Sequence, residues 1–126
     1  MNESGKTQAL IRSLRTTYPT AWFHKVNERI AAGVPDVAAV IDGQAVYIEC
    51  KDLPYNGMVN TAVTELQKLT LAKLAKAGAI VAVVAFTKGQ PASKYEVWEL
   101  FVTPDGPFFS ATGQDNVTDF LFEKGL

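Results

Sequence analysis

The chain has 126 residues and a mass of 13.7 kDa, with 48% hydrophobic and 20% charged residues. This length and composition are typical of one globular domain, so we expect residues 1–126 to form a single domain and exclude an intrinsically disordered chain. The net charge of −1 excludes a strongly basic protein that coats DNA.

The first part of the chain reads as one helix followed by three short strands. Apolar residues at helical spacing predict a helix over Lys6–Thr16, which Pro19 ends. Asp42-Gly43 between two β-branched runs is the strongest short signal for a hairpin, so it joins the second and third strands. The three strands are predicted over Ala21–Val26, Asp36–Ile41 and Gln44–Lys51.

The second part reads as a helix, two strands and a last helix. The long helix is expected to begin at Asn60 or Thr61 and to end near Ala77, with Gly78 as its stop. The resulting order, α-β-β-β-α-β-β-α, predicts an α/β protein with a mixed sheet flanked by helices. The inner stripe of the long helix is predicted to be Val63, Leu66, Thr70, Leu74 and Ala77. The remaining elements are strands over Ala79–Phe86 and Tyr95–Val102 and a short helix from Asp115.

Several classes of protein are excluded by what the chain lacks. Its single cysteine, Cys50, rules out an internal disulfide framework. No apolar run approaches the roughly 20 residues of a membrane-spanning helix, and residues 1–6 lack the apolar stretch of a secretion signal. We therefore expect a cytoplasmic protein that is not secreted and has no membrane partner.

The predicted hairpin brings charged side chains together. A two-residue turn pairs Ile41 with Gln44 and, in the same register, sets Asp36 directly opposite Glu49. Opposed residues of this kind have Cβ atoms about 4.5–5.5 Å apart. Strand alternation then places Lys51 on the face of Glu49, with Cys50 on the other face.

Two carboxylates in this position repel each other and destabilise the sheet unless something offsets their charge. A divalent cation does so, since two carboxylates, a backbone carbonyl and water molecules form a suitable Mg²⁺ or Mn²⁺ site. With Lys51 beside it, such a site is equipped to hydrolyse a phosphodiester bond. The alternative is an ordinary surface pair of acids with a salt-bridging lysine, and the register alone leaves both interpretations open.

The motifs around the hairpin resemble a known family. Gly33-Val34-Pro35-Asp36 precedes Glu49-Cys50-Lys51, and Gln67 then lies on a predicted helix that ends before Gly78-Ala79 and an apolar strand. This order resembles the signature of the PD-(D/E)XK nucleases, and in particular their virus-type replication-repair branch, over residues from about 3 to 86. The resemblance implies a restriction-endonuclease-like core.

The resemblance also implies a role for each matching residue. Asp36 and Glu49 would be metal-binding carboxylates, and the backbone carbonyl of Cys50 would be a further ligand. Lys51 would position or activate the attacking water and stabilise charge on the phosphate.

Two further contributions follow from the resemblance. Gln67 would approach the site from its helix, although a hydrogen bond to a nearby backbone group is an equally open role. Members of the superfamily often add an acidic residue from the first helix, for which Glu3 is the best candidate and Glu28 a weaker one.

Together these observations predict a Mg²⁺- or Mn²⁺-dependent DNA endonuclease. Because no sequence-reading motif is evident, we expect selection of a junction, flap or nick. Cutting two strands symmetrically requires two sites, so a homodimer is expected, with the aromatic C-terminal third as its interface. The family makes a bacteriophage source plausible. The competing hypotheses are a nuclease-fold module that binds nucleic acid or protein without cutting, and a small-molecule hydrolase.

Overall fold

The structure, a computed structural model, describes residues 1–26 and 33–126. Within these residues six strands form one sheet in the order β1-β2-β3-β4-β5-β6. The central strands β3 and β4 are parallel, and every other neighbouring pair is antiparallel. The strands are β1 (Trp22–Lys25), β2 (Val37–Ile41), β3 (Gln44–Leu53), β4 (Ile80–Thr87), β5 (Tyr95–Thr103) and β6 (Gly106–Ala111).

Helices cover both faces of the sheet, which confirms the predicted α/β architecture. One face packs against α1 (Glu3–Thr17) and α4 (Val117–Glu123), and the other against α2 (Val59–Ala62) and α3 (Glu65–Lys76). Burial on both sides explains why β4 is apolar along almost its whole length. Among the described residues, no helix has the length and apolar character that crossing a bilayer requires.

The hairpin register is confirmed. Val37 pairs with Ile48 and Ile41 with Gln44, and both turn residues have positive φ, 49° at Asp42 and 79° at Gly43. Positive φ at both central positions is characteristic of the type I′ turn, whose twist matches that of the strands it joins. The next pair in this register is Asp36 and Glu49, at the point where β2 begins.

The prediction of one continuous helix from Asn60 or Thr61 to Ala77 is wrong. The chain leaves the helical conformation at Val63, and a new helix begins after Thr64. The Thr64 hydroxyl accepts a hydrogen bond from the Gln67 backbone N–H (3.2 Å), while the Gln67 side chain accepts one from the Thr64 N–H (2.9 Å). The capping box starts a new helix at Glu65, so the residues that face the core differ from those predicted for one continuous helix. Leu71 is therefore fully buried, while Leu66, expected inside, is 54% exposed.

A sixth strand, β6, is absent from the predicted order. It pairs with β5 through a two-residue connection between Thr103 and Gly106. Pro107 removes one backbone donor, which is tolerated because β6 lies at the edge of the sheet. The Asn60 side chain donates to the Phe109 carbonyl (2.8 Å) and accepts from the Phe109 N–H (2.7 Å), so it ties α2 to this edge.

Candidate active site

The candidate site lies where β3 continues past β2. The pairing of the two strands stops at Val37 and Ile48, so residues 49–53 of β3 have no β2 partner along that edge. Carboxylates take the backbone donors there instead. The Cys50 N–H donates to Asp36 Oδ2 (2.8 Å), and the Asp52 N–H donates to Glu3 Oε2 (3.2 Å). Because the N–H and C=O of one strand residue point to the same edge, the Cys50 carbonyl also faces this side.

The two predicted metal ligands are both buried. Asp36 is 6% exposed and Glu49 is fully buried, and they occupy adjacent positions across the strands in the observed register. Lys51 follows Glu49 on the same face and is half-buried. Its ammonium group makes no hydrogen bond or ion pair with any described residue. An acidic pair and an ammonium group thus share one end of the sheet.

Glu3 reaches the same strand from α1. The Asn2 side chain accepts a hydrogen bond from the Gly5 N–H (2.8 Å) and so caps the helix, which begins at Glu3 rather than at Lys6 as predicted. This earlier start gives the Glu3 carboxylate a fixed position against Asp52. A metal-binding role for Glu3 stays a prediction, and Glu28 lies outside the described residues.

A buried ion pair that was not predicted from the sequence lies beside Glu3. Lys6 is 1% exposed, and its Nζ lies 2.9 Å from Asp52 Oδ1 and 3.1 Å from the Thr87 carbonyl oxygen. The same ammonium lies 5.8 Å from the centre of the Phe86 ring. Lys6 therefore joins the start of α1 to the ends of β3 and β4. The sequence pattern contained a sign of this burial, because Lys6 lies four residues before the buried Leu10 on the inner stripe of α1.

Cys50 faces the core on the α1 side of the sheet, as predicted. Burial raises the pKa of its thiol well above the usual range; a hydrogen bond with the Thr7 side chain opposes the rise, and the charges of Asp36, Glu49 and Glu3 add to it. Because the thiolate is the reactive form, Cys50 is not suited to be a nucleophile at neutral pH.

We expect the Cys50 thiol to resist alkylation in the native protein. Its full burial and raised pKa leave almost no accessible thiolate, so labelling by iodoacetamide at pH 8 should be about a hundredfold or more slower than in urea. Mass spectrometry of samples quenched at successive times measures both rates. Equal rates with and without urea would contradict the burial of this side chain.

Gln67 lies in the first turn of α3, and its side chain is engaged in the cap of that helix. Gly33 has a φ of 82°, and a Cβ atom there would lie 2.6 Å from Leu66 Cγ, so the start of α3 packs directly against the loop that leads to Asp36. The Gln67 side chain serves the capping box of α3. This is the backbone hydrogen bond considered as its alternative role, and a catalytic role for Gln67 stays a prediction.

The donor atoms at this edge suit a hard divalent cation. No group of three or more His, Cys, Asp or Glu side chains among the described residues is arranged to hold a metal ion. Two carboxylates, Asp36 and Glu49, and the Cys50 carbonyl supply oxygen atoms only. Mg²⁺ is commonly held by one or two carboxylates and completes its shell with water and substrate phosphate, so the residues present fit such an ion.

The fold is shared with known structures, although the sequence comparisons find no relative. No protein-family model matches the sequence, and no curated protein matches it. Among solved structures, a Holliday junction resolvase, Hjc, from the archaeal hyperthermophile Archaeoglobus fulgidus is similar, with a TM-score of 0.54 and 16% sequence identity. The match covers 89% of this chain and 95% of that one. At this identity the likeness concerns the fold, and it shows that the chain has a restriction-endonuclease-like fold.

Proposed function

We propose that the protein is a Mg²⁺- or Mn²⁺-dependent DNA endonuclease of the virus-type replication-repair branch of the PD-(D/E)XK nucleases. The observation that carries this proposal is the position of Asp36 beside Glu49 at the uncovered edge of β3, with Lys51 next to them. A module that only binds DNA has no need of two buried acids and a lysine at one point. The shared fold of a junction resolvase supports the same conclusion.

In this proposal Asp36, Glu49 and the Cys50 carbonyl hold the cation. When bound, the cation polarises the phosphate and lowers the pKa of a water molecule. The Cys50 N–H orients the Asp36 carboxylate through its hydrogen bond, and the strand backbone fixes Glu49 beside it. The Lys51 ammonium orients the attacking water and stabilises negative charge that develops on the phosphate.

We further propose that the substrate is branched DNA and that the active species is a homodimer. The similar solved structure is named as a Holliday junction resolvase, and no helix-turn-helix or zinc-finger pattern is present in the sequence to select a base sequence. Two symmetric incisions need two copies of a site that this chain carries once. The proposed setting is the cytoplasm of a bacterial or phage-infected cell.

The test is cleavage of a DNA panel that includes four-way junctions, flaps, nicked duplexes, linear duplexes and supercoiled plasmid. We expect the junction or flap to be cut faster than a linear duplex of the same sequence in Mg²⁺ or Mn²⁺, with no cutting in EDTA. Sedimentation measures the oligomeric state in parallel. Cutting that persists in EDTA would contradict the metal-dependent mechanism. Binding without cutting in either metal would favour a non-catalytic module.

A further inference from the structure

A basic groove lies beside the candidate site, between α1 and β1. It has a volume of about 320 Å³ and is open to solvent. Three of the residues that line it are cationic, one carries an amide, and one is a buried apolar residue. The lining residues are Gln8, Ile11, Arg12, Arg15 and Lys25.

The cations of this groove are available to an external anion. Arg12 and Arg15 are exposed and Lys25 is half-buried. No carboxylate of residues 1–26 or 33–126 forms an ion pair with any of the three. The Arg15 guanidinium makes a single long hydrogen bond, 3.5 Å, to the Phe23 carbonyl oxygen. Three neighbouring cations repel one another. Because no described carboxylate pairs with them, an anion that binds between them relieves this repulsion.

One end of the groove lies next to the backbone of Asp36. Lys25 is paired with Val37, one residue after Asp36, and the Val26 N–H donates to the Asp36 carbonyl oxygen (2.8 Å). From Lys25 the groove follows α1 away from the site as far as Arg15. The groove therefore runs along the α1 face of the sheet, whereas Asp36 and Glu49 occupy alternate positions of their strands. It approaches the candidate site at the sheet edge, where Asp36 accepts the hydrogen bond from the Cys50 N–H.

The spacing of the groove matches a nucleic-acid backbone. Gln8 and Arg15 are seven residues apart on α1, or about 10 Å at a rise of 1.5 Å per residue. A duplex advances about 3.4 Å along its axis per nucleotide of one strand, so a groove of this length can contact more than one phosphate. Cations that contact phosphates hold the backbone and carry no sequence information.

We propose that this groove binds the phosphate backbone of a duplex DNA arm next to the scissile bond. The proposal rests on the proposed function and adds the path of the substrate across the molecule. It assigns to Arg12, Arg15 and Lys25 a role in holding the arm rather than in the chemistry.

The test compares two double variants that each lose two positive charges three residues apart on one helix. R12Q/R15Q alters the groove. K73Q/K76Q alters two exposed lysines in the last turn of α3. This turn precedes the start of β4, so the control charges lie at the other end of the sheet from Asp36. Fluorescence anisotropy in EDTA measures the affinity for a labelled duplex and a labelled four-way junction at several salt concentrations. Circular dichroism checks that both variants fold.

For R12Q/R15Q we expect the slope of log affinity against log salt to fall by roughly two, with affinity about tenfold to a hundredfold weaker. K73Q/K76Q should match the wild type, and Lys25→Gln alone should lower the slope by about one.

An unchanged slope in R12Q/R15Q, or an equal fall in both double variants, would overturn the proposal that the groove binds DNA. If the wild type still cleaves DNA, the proposed function is not affected by that result. A loss of affinity in R12Q/R15Q for the four-way junction but not for the duplex would overturn the assignment of the groove to a duplex arm. Failure of the wild type to bind or cut any DNA would overturn the groove and the function together.

Discussion

Asp36→Asn is expected to lower the rate of DNA cleavage by about a hundredfold to a thousandfold. Asparagine keeps an oxygen that can accept the Cys50 N–H, so the local structure should persist. The substitution removes the negative charge proposed to hold the cation. A catalytic cation lowers the activation free energy by several kcal/mol, and each 1.36 kcal/mol corresponds to about tenfold in rate. Single-turnover cleavage of a junction in Mg²⁺ measures the effect, and binding of Mn²⁺ followed by electron paramagnetic resonance gives an independent measurement.

The matched control for this substitution is Asp42→Asn. It makes the same chemical change at the hairpin turn, where φ is 49° and asparagine is well tolerated. Its cleavage rate should equal that of the wild type. If Asp36→Asn also cuts at the wild-type rate and binds Mn²⁺ as tightly, Asp36 is not a metal ligand and the proposed mechanism is incorrect.

Lys6→Met is expected to lower the free energy of unfolding by about 3 kcal/mol. The substitution keeps an apolar chain of similar length but leaves the Asp52 carboxylate, 15% exposed, without its ammonium partner. Removal of one partner from a buried ion pair typically costs about 3–5 kcal/mol, and the partial exposure of Asp52 places this site at the lower end. Urea unfolding followed by tryptophan fluorescence measures the change.

Lys68→Met supplies the comparison for Lys6→Met. Lys68 Nζ lies 3.5 Å from Glu65 Oε1; the Lys68 side chain is 15% exposed and that of Glu65 is 86% exposed. Because the carboxylate left behind is in water, loss of this pair costs at most about 1 kcal/mol. The Lys68 variant should therefore unfold at nearly the wild-type urea concentration. Similar losses in the two variants would mean that Lys6 does not hold α1 to the sheet as the structure indicates.

The hairpin was predictable because its determinants are local. Asp42 and Gly43 specify the turn by their tolerance of positive φ, and the turn alone sets the register of every pair up to Val37 and Ile48. The sequence neighbours of Asp36 and Glu49 were therefore enough to place these two acids across from each other.

Other features depended on contacts far apart in the chain. The burial of Lys6 requires Asp52, 46 residues later, and Thr87, 81 residues later. The strand β6 contains glycine and proline and is stabilised by its pairing with β5, so its own sequence gives a weak signal. The break before α3 had a local sign in Thr64 and Gln67, but an equally good cap at Asn60 or Thr61 competed with it.

The acids along the outer edge of β3 have a second consequence. An extended strand whose backbone donors are open tends to recruit strands from other molecules, which leads to aggregation. At Cys50 and Asp52 those donors are already occupied by Asp36 and Glu3. The Asp36 and Glu3 carboxylates thus protect this edge from intermolecular β-pairing, and replacing either of them with alanine is expected to make the protein more prone to aggregate.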